Sequence, residues 1–162
     1  MATVVAKDLE ARLAALKVLV IDDDAHMRKV VRTMLTTIGV KTTFEAHDGP
    51  SGLAALRAYA PDLVLLDWEM PVLDGMQFTR LVRLPAAVPD PDVPIIMLTG
   101  HSERWRVEAA ARLGVREYLL KPVSTKALQE RIVSVLSYMR PAPAPNAAAG
   151  KARRPGDVVL LN

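Results

Sequence analysis

Four short apolar runs, each ending on a polar residue, dominate the pattern of this chain. Lys17-Val-Leu-Val-Ile21 runs into Asp22-Asp23-Asp24, Leu63-Val-Leu-Leu66 into Asp67, Ile95-Ile-Met-Leu98 into Thr99, and Tyr118-Leu-Leu120 into Lys121-Pro122. Aliphatic runs this short and without alternation predict parallel strands buried on both faces. A fifth strand, Lys41-Thr-Thr-Phe-Glu-Ala46, has the mixed polarity of a sheet edge.

Between the strands the period changes to that of helices. Met27, Val30, Val31, Met34, Leu35 and Ile38 fall on one helical face after a cap at Asp24, with Gly39 as the stop. Asp48-Gly49-Pro50-Ser51 opens a second helix through Leu53, Leu56 and Tyr59, ended by Pro61. A third follows the turn-rich Met70-Pro71-Val-Leu-Asp74-Gly75 and runs from about Met76 to Leu84. The four prolines of residues 85–94 then predict an extended loop. A fourth helix is expected from a cap near Ser102 to Gly114, and a last one from Ser124 to about Met139. Five alternations of strand and helix argue for an α/β fold, a doubly wound parallel sheet with helices on both faces. No internal repeat is present.

The ends differ from this body. Residues 4–16 place Val5, Leu9, Leu13 and Leu16 at helical spacing, predicting an N-terminal helical extension over residues 1–16 that packs on its own domain or, less expectedly, builds a dimer. Residues 140–162 form a Pro/Ala-rich basic tail closing on the apolar Asp157-Val-Val-Leu-Leu161-Asn162, which could add as a strand or dock in a groove. The body is residues 17–139. Nothing after Met139 looks able to build a DNA-binding or enzymatic domain.

Composition narrows the picture further. A chain of 162 residues suits one domain. The net charge of +3 belongs to the tail, where Arg140, Lys151, Arg153 and Arg154 stand against Asp157 alone. The body is neutral, so nucleic acid is not an expected partner. No apolar run approaches membrane-spanning length, and Lys7, Asp8, Glu10 and Arg12 break any secretory signal. The lack of cysteine excludes disulfides and thiolate chemistry, and leaves the cytoplasm as the default location.

Open α/β sheets hold ligands beyond the carboxyl ends of their strands. Asp22, Asp23, Asp67, Thr99 and Lys121 should therefore meet in one crevice. Grouped carboxylates would repel strongly unless a cation joined them, and Mg²⁺ suits a site of a few carboxylates because it keeps its waters.

These residues, in this order, resemble the receiver domain of two-component response regulators over about residues 16–139: Asp22-Asp23, Asp67 within Leu65-Leu66-Asp67-Trp-Glu-Met-Pro71, Thr99, and Lys121-Pro122. The resemblance implies a flavodoxin-like sheet of order 2-1-3-4-5. It implies that Asp67 accepts a phosphoryl group from a phosphohistidine on a sensor histidine kinase. Mg²⁺ would be held by Asp23 directly, Asp22 largely through water, an Asp67 oxygen and the backbone carbonyl of Glu69, whose side chain is left free at the site mouth. Lys121, beside a cis Pro122, would pair with the phosphoryl oxygens, and Thr99 would donate its hydroxyl to one of them. Tyr118 would turn inward as part of the switch, altering the face made by the helix after the fourth strand, the fifth strand and the last helix.

Two positions depart from the family pattern. Gly100 stands where alanine is usual, which would open access to the phosphoryl group, and Glu69 could position or repel an attacking water. Trp105, between Arg104 and Arg106, reads either as an exposed interface anchor or as packing on its own helix.

The reading is thus a stand-alone phosphoacceptor rather than an enzyme. A relay intermediate that passes phosphate to a histidine phosphotransfer protein is the alternative. An aspartyl phosphatase would need a threonine absent from Asp22-Asp-Asp-Ala-His26, and a flavin-binding protein a phosphate loop where three aspartates stand. A constitutive interaction module fits poorly with a complete acceptor set. An arm-exchanged homodimer through Val158 to Leu161 is a further expectation.

Overall fold

The computed structural model describes residues 2–139, so the expected tail and its apolar end lie outside the described residues. Eleven elements follow one another: α1 (Ala2–Ala15), β1 (Lys17–Ile21), α2 (Ala25–Ile38), β2 (Thr42–Ala46), α3 (Gly49–Tyr59), β3 (Leu63–Asp67), α4 (Gly75–Val82), β4 (Ile95–Thr99), α5 (Arg104–Arg112), β5 (Glu117–Leu120) and α6 (Thr125–Tyr138). The five strands form one parallel sheet in the order β2-β1-β3-β4-β5. β3 and β4 are buried along their whole length, as their unbroken aliphatic runs require.

The sheet separates two apolar clusters. On one face Leu19, Leu66, Phe78, Ile95 and Met97 pack with α3, α4 and α5. On the other Val18, Leu65, Leu98, Leu35 and Ile132 pack with α1, α2 and α6. Register places Ile21 opposite Leu66 and Asp67 opposite Leu98, so the strand ends that bear the polar residues lie side by side.

Local chemistry fixes the helix ends. Asp24 accepts from the amides of His26 and Met27, and Gly39 closes α2 at φ 116°. Asp48 with Ser51 and Asp74 with Gln77 form reciprocal capping boxes on α3 and α4. The cap expected near Ser102 is not the one used. α5 begins at Arg104, with Glu103 at the cap position and no side-chain cap bond, because the Glu103 carboxylate instead faces His101 and Arg106.

α1 docks by its second half only. Leu13 and Leu16 are buried, Leu9 is half-buried, and the Arg12 guanidinium donates to the Leu136 carbonyl at 2.7 Å. Val5, expected on the same stripe, is 68% exposed, because the first two turns project beyond the body. The proline-rich loop is pinned rather than loose: buried Val88 and Val93 anchor it, and the Arg83 guanidinium donates to the carbonyls of Leu113, Pro91 and Val93. On edge strand β5, Glu117 is turned inward, accepting from Ser134 Oγ with Arg131 Nη1 at 3.4 Å.

Candidate functional site

The carboxyl ends of β1, β3, β4 and β5 bring Asp22, Asp67, Thr99 and Lys121 together. Asp22 is held by its own backbone, its amide donating to Ala46 while its carbonyl accepts from Arg28 Nη1 at 2.7 Å. Its Oδ1 accepts the Asp24 amide at 2.9 Å. Asp67 ends β3, and the next amide, that of Trp68, donates to Leu98 across to β4. The Lys121 amide donates to the Thr99 carbonyl at 2.8 Å, and the Lys121–Pro122 bond is cis. Lys121 Nζ then lies 3.0 Å from Asp67 Oδ1 and 3.5 Å from Asp22 Oδ2.

Ligand atoms of Asp22, Asp23 and Asp67 lie within 4.8 Å of one another. Asp22 and Asp67 are 2% and 3% exposed, while Asp23 faces solvent. Asp22 Oδ2 is buried and accepts no hydrogen bond. Among the described residues, the one cation paired with it is the Lys121 ammonium at 3.5 Å. A single ammonium against the three clustered carboxylates leaves negative charge uncompensated, so this all-oxygen set fits a small hard divalent ion. Burial pushes the Asp67 carboxyl up to about 6, against the hydrogen bond from Lys121, with the Asp22 charge adding to the rise. For Lys121, burial lowers the pKa, but the hydrogen bond to Asp67 and the two carboxylate charges outweigh it and hold the ammonium above the usual lysine range.

Thr99 is fully buried beside this cluster, but its hydroxyl points elsewhere. It donates to Glu69 Oε1 at 2.9 Å and accepts the His101 amide at 3.1 Å. The Glu69 side chain is therefore not free at the mouth, as the sequence suggested. The same Oε1 takes Arg106 Nη1 at 3.0 Å and lies 3.6 Å from His101 Nε2. Beside Thr99, Gly100 leaves open space, with nothing within 4 Å of where a Cβ would stand.

Tyr118 is half-buried, and its hydroxyl donates to the His101 carbonyl at 2.8 Å. Its ring meets Trp68 edge-on, with centroids 6.2 Å apart. Trp105 is 61% exposed, and its inner edge also meets Trp68, at 6.4 Å and 87°. Arg106 lies between, its guanidinium 5.0 Å from the Trp68 ring and 5.1 Å from the Trp105 ring. Trp68, His101 and Arg106 are the site residues that sequence reasoning missed. Only the place of Trp68, next to Asp67, could have drawn attention to one of them.

Among the described residues no helix is long and apolar enough to cross a membrane. Residues 18–133 match the family model of the response regulator receiver domain. The chain is 32% identical to the chemotaxis protein CheY of Pseudomonas aeruginosa over 120 residues, covering 74% of this chain and 95% of that protein. Its identity to CheY-3 of Vibrio cholerae is also 32%, over 124 residues, 76% of this chain and 94% of the relative. Among solved structures, CheY4 of Vibrio cholerae superposes with a TM-score of 0.67 at 28% identity, covering 74% of this chain and 98% of that one. The receiver domain of the Francisella response regulator 1452 gives 0.66 at 28%, covering 75% and 97%. With the strand order and the strand-end residues already in place, these matches make the chain a member of the response regulator receiver family.

Proposed function

We propose that this protein accepts a phosphoryl group on Asp67 from the phosphohistidine of a sensor kinase, and that Mg²⁺ is required. The observation that carries the reading is the orphaned, buried Asp22 Oδ2 beside Asp67 and Lys121. Asp22, Asp23, an oxygen of Asp67 and the Glu69 backbone carbonyl would hold the ion. Bound there, it neutralises the clustered carboxylates and the oxygens of the incoming phosphoryl group.

An Asp67 oxygen forms the new O–P bond as the donor's N–P bond breaks, and the bonding electron pair leaves with the imidazole nitrogen. Lys121 Nζ, already on Asp67 Oδ1, pairs with the phosphoryl oxygens. Thr99 turns its hydroxyl to one of them, and Tyr118 follows, altering the face of α5, β5 and α6 that partners read. The domain thus signals by a change of surface rather than by turnover.

Intact mass after incubation with acetyl phosphate tests this. A gain of one phosphoryl group that depends on Mg²⁺ and is lost in Asp67→Asn is the expected result. A folded protein that gains nothing, or a variant that gains as much, overturns the assignment.

A further inference from the structure

A threonine hydroxyl has one proton to donate, and Thr99 gives it to Glu69 rather than to Asp67. Glu69 in turn is fixed by Arg106, whose side chain is only 18% exposed and whose guanidinium stands against the rings of Trp68 and Trp105. A continuous line of contacts therefore runs from the buried hydroxyl, through a carboxylate and a guanidinium, to an indole at the surface of α5. The line is also strained for hydrogen bonds, since Arg106 Nε is buried with no partner and its nearest carboxylate oxygen, on Glu103, lies 3.6 Å away.

We infer that Arg106 is a positioning residue: through Glu69 it keeps the Thr99 hydroxyl turned from Asp67, and its release on phosphorylation moves Trp105. The inference rests on Asp67 being the acceptor. A phosphoryl group there is a doubly charged acceptor that competes with Glu69 for the one Thr99 proton and repels the Glu69 carboxylate. Glu69 then loses its donor, the contact between Glu69 and Arg106 loosens, and the guanidinium shifts between the two indole rings that flank it. Trp105, standing out from α5, carries that shift to whatever binds the face.

The outcome differs from a purely structural role for Arg106, in which it only ties α5 to the loop after β3. A structural tie predicts a change in stability and no change in how phosphorylation is taken up or reported. A catch on Thr99 predicts a change in both rate and report.

The chain contains two tryptophans, so Trp68→Phe leaves Trp105 as the sole indole reporter. In the full-length Trp68→Phe protein, acetyl phosphate with Mg²⁺ should change both the emission of Trp105 and its quenching by acrylamide, in step with the phosphoryl gain read by mass. Adding Arg106→Gln should raise the rate of phosphoryl uptake roughly fivefold, the factor that goes with losing one hydrogen bond of ordinary net strength, and abolish the emission change. Arg106→Lys, which keeps the charge, should restore part of both. Glu69→Gln, which weakens the catch from its other side without touching the aromatic stack, should speed uptake likewise and serves if the Arg106 variant does not fold. Equal uptake rates and an undiminished Trp105 response in the folded variants would sink the catch while leaving Asp67 as the acceptor. No phosphoryl gain in the parent would remove both.

Discussion

In the folded chain the Asp67 carboxyl ionises near pH 6, although a free aspartate does so near 3.8. Folding thus favours the protonated acid. The contribution of Asp67 to stability is best below 3.8, declines as pH rises between the two values, and is a full penalty above about 6. The shift corresponds to something on the order of 2 to 3 kcal/mol. In chelator at pH 7, Asp67→Asn should therefore be more stable than the parent in urea unfolding by roughly 2 kcal/mol, a gain that fades toward pH 4. Added Mg²⁺ should stabilise the parent and not the variant. A second cost sits five residues beyond Asp67, where Val72 has φ 70° and is 97% exposed. A β-branched residue in the left-handed region, with no packing to compensate, is strained. Val72→Asn should raise the denaturation midpoint by an amount equal to about 1 kcal/mol. The clustering of Asp22, Asp67, Thr99 and Lys121 was legible in the sequence because each follows or ends an aliphatic run, so the sheet alone brings them together. The Thr99–Glu69–Arg106 contacts were not, because their partners are 30 and 37 residues apart and join through side chains that no periodicity marks.

Two glycines show how the loops at the strand ends are built. A Cβ on Gly75 would stand 2.7 Å from the Asp67 carbonyl oxygen and 2.9 Å from Trp68 Cα. Both are backbone atoms, which cannot turn aside as a side chain can. Gly75→Ala should cost about 2 kcal/mol or more and slow phosphoryl uptake, since α4 would push on the strand end that carries Asp67. Gly100, with open space around it, is the opposite case. Gly100→Ala should leave stability unchanged and slow the loss of the phosphoryl group, measured by mass over time, by narrowing the path of an attacking water. At this scale the sequence predicted the existence and order of every strand and helix after residue 16. It placed the cap of α5 near Ser102, one residue before the observed cap position at Glu103, whose carboxylate faces His101 and Arg106. It also set the end of α4 at Leu84, where the last helical residue is Val82.

For the whole molecule, the amphipathic reading of α1 is right about where the helix binds and wrong about how far. Leu13 and Leu16 complete the cluster between α2 and α6 at the end of the sheet away from the acceptor site, whereas residues 2–8 are all exposed. Leu13→Ala should cost about 3 kcal/mol, while Val5→Ala should change stability by less than about 0.5 kcal/mol, both read from urea unfolding. The sheet itself ends at β5, whose outer edge has no neighbouring strand among the described residues. There Glu117 turns inward to Ser134 and Arg131. An incoming strand from another molecule would have to settle beside a carboxylate already committed to α6, on an edge only four residues long. Glu117, held inward by Ser134 and Arg131 on so short a strand, thus makes this edge a poor template for an added strand.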